Sequence, residues 1–219
     1  MPTARRSRTS KVRASPVRGY HHGDLRQALV TEGLALIEAE GAEALSVREV
    51  ARRAGVSSAA PFRHFPSRIA LMTAIAEEAM RRFHREFVEA LEKAPTDDPL
   101  ARFRAIGIAY LRWAFRNPTH FQVLSDRTLF DFEGATELRR QDQEIRLAME
   151  EAVKAAIAKD RLRSDDVRLL HLTGRGLVYG LARMQVDGHM PRWGVAEHEA
   201  QAMAEKALDL LAAGLAKPA

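Results

Sequence analysis

The sequence predicts an all-α chain of about nine helices and no strands, with an N-terminal three-helix unit followed by a longer helical domain. Three observations lead there. Apolar residues recur at helical spacing over most of the chain. Ser, Asp and Asn stand where helices should start, followed by acids or Pro. Gly and Pro punctuate the segments between. The 219 residues allow one or two domains, and the 46% hydrophobic content allows a core without staples. There is no Cys, which excludes disulfides and thiolate metal sites. No apolar run reaches the ~18 residues of a membrane span, and the basic N-terminus lacks the apolar stretch of a signal peptide. A cytoplasmic location is therefore expected.

Residues 1–19 read as a disordered basic tail. Arg5, Arg6, Arg8, Lys11, Arg13 and Arg18 have no acid among them, so residues 1–23 carry +6 in a chain of net charge +5. Everything from Asp24 onward sums to −1. The basic character is thus mostly a tail, of the kind that contacts phosphate or the minor groove beside a main site. A purely solubilising role is the alternative. Tyr20, His21 and His22 follow, either resting on a nucleic-acid backbone or forming a loose entry segment.

The first helix is expected from about Asp24 to Glu40, with Leu25, Ala28, Leu29, Leu36 and Ile37 inward and Gly41 as its stop. The second spans about 47–54. Ser46 and Glu49 form a capping box, in which hydroxyl and carboxylate each satisfy a free backbone N–H. Val47, Val50, Ala51 and Ala54 give one apolar face. Gly55 ends the helix where a left-handed residue is needed. Val56 plugs the corner, and Ser57 or Ser58 caps a short third helix at about 58–64. A tight turn with a short exposed second helix suits insertion into a DNA major groove.

The run Gly55-Val56-Ser57, Phe62-Arg63-His64-Phe65, Ser67-Arg68 resembles the DNA-binding segment of the tetracycline-repressor (TetR) family. The likeness covers about residues 20–72. It implies a dimeric transcriptional regulator whose C-terminal domain binds a small effector, and binding alters the spacing of the two DNA-binding units. The family often has Tyr where this chain has Phe62. The expected DNA-binding residues are Arg18, Tyr20, His22, Ser46, Arg48, Ser57, Ser58, Ala59, Phe62, Arg63, His64 and Arg68. Arg63 suits a bidentate contact to guanine or phosphate. Ser57 and Ser58 lie where backbone N–H groups favour phosphate. His64 is a phosphate donor by resemblance, and Arg68 is expected to clamp a phosphate at the start of the next helix. Solvated charges on a small bundle are the bland alternative. The DNA-binding domain is placed at 20–68 and the effector-binding and dimerisation domain at 69–219.

The fourth helix runs from Ser67 to about Lys93 with a long apolar stripe, Ile69 to Leu91, and is the mechanical link between the domains. Asp98-Pro99 and Asn117-Pro118 start the fifth and sixth, at about 99–116 and 118–126. Residues 127–135 are irregular. The seventh covers about 136–160. Ser164-Asp165-Asp166 opens the eighth, which runs to about Asp187. After the loop 188–194, the ninth covers about 196–214.

Aromatic residues accumulate in the second half. Phe103, Tyr110, Trp113 and Phe121 are placed around a cavity, with His171, Arg175 and Tyr179 reaching in as orienting groups. Ordinary core packing is the alternative. The dimer interface is assigned to Val167, Leu170, Gly174, Leu177 and Leu181 on the eighth helix and Met203, Ala207, Leu210 and Leu211 on the ninth, forming a four-helix bundle across a twofold axis. The alternative buries both stripes within one chain.

The function read from this is a sequence-specific regulator, a repressor released from a pseudo-palindromic double-stranded DNA operator by a small, largely apolar effector. An effector-dependent activator is the runner-up. A nonspecific nucleic-acid-binding protein needs a broader basic surface than the near-neutral body offers. An enzyme lacks support, having no Gly-rich phosphate loop, no Cys nucleophile and no paired histidines at metal spacing. No cofactor and no metal are expected.

Overall fold

The computed structural model describes residues 22–218, with side chains from Leu25 onward. Arg18, Tyr20 and the tail lie outside the described residues, and His22 is described only as the first backbone position of its helix. Eight α-helices follow in order: α1 His22–Glu40, α2 Val47–Arg53, α3 Arg68–Lys93, α4 Pro99–Arg116, α5 Pro118–Ser125, α6 Thr136–Ala158, α7 Val167–Val186 and α8 Ala200–Leu215. Among the described residues β-pairing amounts to one isolated bridge, between Leu162 and Ala216. The Asx-Pro starts stand where the sequence puts them, with the Asp98 carboxylate accepting from the N–H groups of Leu100 and Ala101. Asp166, rather than Ser164, caps α7.

The expected third helix is instead a 3-10 turn, Pro61–Arg63. The reason is chemical. A helix capped at Ser57 needs the N–H of residue 61 to close its first α-turn, and Pro has none. Ser57 O takes the Ala60 N–H at 3.1 Å instead. The chain path stays helical at Ala60 (φ −61°, ψ −43°), so the element keeps its direction.

α1, α2 and this turn form a head around Leu29, Val30, Leu36, Val50 and Phe65, all buried. Arg53 reaches Glu40 at 2.5 Å, joining α2 to α1. Arg26 lies 3.5 Å from Glu77 and 5.5 Å from the Phe65 ring centroid, joining α1 to α3. The 26-residue α3 packs on α1 at one end and on α4, α5 and α6 beyond it. α5 also touches α1, so the body meets the head through two helices. α4 is the central helix of the body, flanked by α3, α6, α7 and α8.

His120, on α5, is partly buried, and its Nε2 has no hydrogen-bond partner among the described residues. Burial, and then the nearby Arg82 charge, depress its pKa to about 4. The native state therefore refuses a proton that the unfolded chain accepts near its ordinary value of ~6.5. Stability is complete above that value and falls as pH drops toward 4. A His120→Gln variant is expected to lose less stability than the parent between pH 7 and 4.5, read by denaturant midpoints. Parallel losses would show that His120 does not titrate this way.

Candidate functional site

The turn after α2 presents the reading element. Gly55 has φ +67°, the left-handed conformation that lets the chain reverse tightly. Ser57, Ser58, Ala59, Phe62 and Arg63 are exposed on it, and Arg48 is exposed on α2. Phe62 is 41% exposed, an aromatic ring held outside the core. His64 is partly buried, its ring tilted against Phe65 at 6.4 Å.

Two of the expected contact residues, Ser46 and Arg68, also make hydrogen bonds within the protein. Ser46 Oγ accepts the Glu49 N–H at 3.1 Å, but the Glu49 carboxylate turns to Arg52, at 2.9 and 2.5 Å, and to Arg53. Only one half of the capping box is formed, because two guanidinium groups outcompete one backbone N–H. The Arg68 guanidinium donates to Leu45 O at 3.1 Å and Ala42 O at 2.8 Å. It ties the start of α3 to the loop before α2 rather than standing free for phosphate. Arg68→Ala is expected to cost about 1–3 kcal/mol of stability, since two carbonyls lose a charged donor. Its DNA affinity, measured well below the new unfolding midpoint, should change less than that of Arg63→Ala. A phosphate-clamping Arg68 would reverse this order.

In the body, Phe103, Tyr110, Trp113, Phe121, His171, Arg175 and Tyr179 all line one cavity of about 270 Å³. Met80 and Phe83 of α3 share the wall, as do Phe130 and Phe132 of the 126–135 loop and Leu208 of α8. The rings form a connected cluster. Tyr110 lies edge-on to Phe83 (5.3 Å) and to Phe121 (6.2 Å), and Phe121 meets Tyr179 at 5.9 Å. The indole N–H of Trp113 is buried without a partner among the described residues. Burial, with Arg146 adding to it, lowers the His171 pKa, so the imidazole is neutral at pH 7. The sequence reading did not include Arg127, Asp142 and Arg146, which also line the cavity. They sit in a loop and on a helix whose charge pattern reads as a solvated face.

α7 and α8 carry exposed apolar side chains, but of the residues assigned to the interface only Met203 and Leu210 are among them. Leu170 is 2% exposed, and Gly174 lies against Phe103, where a Cβ would stand 2.5 Å from the ring. Both are used inside the protomer. Val167, Leu177 and Leu181 are partly buried against the same core. Ala207 and Leu211 are partly buried, while Met203 and Leu210 are exposed. The open stripe of α7 instead carries Leu169 and Leu172, 54% and 70% exposed. α7 is apolar around most of its circumference. Its richest stripe is drawn into its own core, and periodicity alone does not say which stripe goes inward.

A helix-turn-helix head joined by a long helix to a helical body defines a DNA-binding regulator as a class. The family models agree. Residues 29–75 match the model described as bacterial regulatory proteins, tetR family, and residues 103–211 match that of the tetracyclin repressor-like C-terminal domain. The chain belongs to the TetR family of DNA-binding transcriptional regulators.

Among solved structures, a protein of unknown function from Rhodococcus sp. RHA1 is 27% identical with a TM-score of 0.72, covering 92% of this chain and 100% of that one. The ketosteroid transcriptional regulator KstR2 of Mycobacterium tuberculosis is 17% identical, with a TM-score of 0.68 over 94% of this chain and 99% of that one, a likeness of fold. The nucleoid occlusion factor SlmA of Vibrio cholerae is 34% identical over 128 residues, 57% of this chain and 61% of the relative. Among the described residues no helix is long and apolar enough to cross a membrane, and no group of His, Asp and Glu could hold a metal ion.

Proposed function

We propose that this protein is a homodimeric repressor that binds a pseudo-palindromic operator and is released by a small effector in the aromatic cavity. The observation that carries the reading is the position of α3. Its start is tied to the head by Arg68, and Met80 and Phe83 on the same helix form part of the cavity wall. The 126–135 loop, which contributes Phe130 and Phe132 to the cavity, donates the Asp131 N–H to Thr73 of α3 at 3.1 Å. α5, which contributes Phe121, packs on α1. A ligand that displaces Phe83 or the loop therefore pushes on elements that fix the angle of the head.

The coupling is a free energy shared by two sites. An effector that prefers a spacing of heads unsuited to the operator weakens DNA binding by the factor by which DNA weakens effector binding. In the dimer, the two reading elements enter successive major grooves about 34–36 Å apart or a multiple of that. Arg63 reads bases, Ser57 and Ser58 approach phosphate, and Phe62 offers an apolar face to a thymine methyl or a sugar.

Arg63→Ala is expected to weaken operator binding by about 1–3 kcal/mol and to relax preference at one base position in each half-site. Affinities for an operator set with single substitutions check this. An equal loss on every sequence would confine Arg63 to phosphate.

A further inference from the structure

The cavity is apolar in its depth and cationic at its mouth. Arg127, Arg146 and Arg175 line it together with a single carboxylate, Asp142. Asp142 Oδ1 stands 3.5 Å from Arg127, and its Oδ2 stands 4.0 Å from Arg146, so one anion is divided between two guanidinium groups. Arg175 has no carboxylate within ion-pair distance among the described residues. Its guanidinium lies over two cavity rings instead, 4.6 Å from the Tyr110 centroid and 5.2 Å from that of Tyr179. The nearby His171 does not add to the positive charge, because burial keeps it neutral. Three fixed cations thus face one fixed anion at the rim of a low-dielectric space, where charge is worth more than in water.

We infer that the effector is an amphipathic monoanion, an aromatic or arylalkyl carboxylate, with its rings in the aromatic cavity and its carboxylate on Arg175. The inference rests on the reading of this cavity as the effector site. Size sets the body of the ligand. An apolar cavity of ~150 Å³ accepts benzene, so one near 270 Å³ takes roughly ten to fifteen non-hydrogen atoms. Chemistry sets the head. A planar guanidinium pairs a carboxylate through two parallel hydrogen bonds. The surplus charge is also confined. On the surface just outside, Arg139 is held by Glu133 at 2.9 Å and Arg140 by Glu137 at 2.6 Å and by Glu144. That outer shelf has its charge balanced, which fits one carboxylate at the mouth rather than a polyanionic tail lying across α6.

The test uses the full-length protein, neutral aminoanthracene as a cavity probe and three isosteric competitors: naphthylacetate, naphthylacetamide and naphthylethylamine. Dye fluorescence is expected to rise on binding. Naphthylacetate should displace it at a concentration about tenfold or more below that needed for the amide, with the amine weakest. Arg175→Gln should bring acid and amide to within about twofold. Asp142→Asn, which removes the only anion from the wall, should widen the preference for the acid. Equal displacement by acid and amide would overturn the monoanion while leaving the cavity as an effector site. Preference for the amine would do the same. Failure of the protein to take up the dye at all would overturn the effector-site reading, and this inference with it.

Discussion

Leu172→Glu combined with Leu210→Glu is expected to leave a folded monomer that binds the operator at least about a hundredfold more weakly than the parent. Leu172 and Leu210 are 70% and 76% exposed, so neither contributes much to the protomer's own core. Leu169 of α7 and Met203 of α8 are also open, 54% and 45% exposed. Apolar side chains gathered this way mark an association site more often than a free surface. Glutamates there place like charges against each other across a twofold axis and must be desolvated for the dimer to form. The expected loss of DNA affinity is large because the second half-site then binds as an independent event rather than at the high local concentration that a dimer provides. Light scattering gives the mass, thermal unfolding checks the fold and a mobility shift gives the affinity. A dimeric double variant would place the interface elsewhere.

Phe65→Ala is expected to remove DNA binding without touching a single exposed contact. Phe65 is 2% exposed in the head, under the Arg26 guanidinium. Truncating a buried Phe costs about 3–5 kcal/mol, from lost transfer energy and the cavity left behind. The head is small and has little stability to spare, so this loss should fall as local unfolding of α1, α2 and the turn. Hydrogen exchange should accelerate in residues 25–66 while α4 and α6 keep their protection. Operator affinity should fall by more than about tenfold, the share of molecules with an ordered head setting the apparent constant. Uniform protection with intact binding would mean that the head is supported mainly by α3.

The helices were legible because their starts carry chemistry in short words. Ser67, Asp98-Pro99 and Asn117-Pro118 each mark a boundary that the structure places at the same residue. The third helix is less legible, because a cap at Ser57 needs an N–H from residue 61 to close the first α-turn, and Pro61 has none. The cavity-lining set on α4, α5 and α7 was accessible from aromatic spacing. Arg127, Asp142 and Arg146 were not, since their meeting depends on how the 126–135 loop and α6 fold back over α4. Arg68 shows the same limit from the other side. A basic residue opening a helix beside a DNA-reading turn looks like a phosphate ligand, yet two carbonyls 23 and 26 residues away claim it. Outward and inward stripes of α7 also differ only in tertiary context.

Repression as proposed depends on sequence-specific binding by a dimer. Selection of genomic fragments by the purified full-length protein, at about 0.15 M salt so that purely electrostatic binding is suppressed, tests it most directly. A few strongly enriched fragments should share an inverted repeat, its half-sites centred about one helical turn or a multiple of it apart. Diffuse recovery without a shared repeat would contradict it.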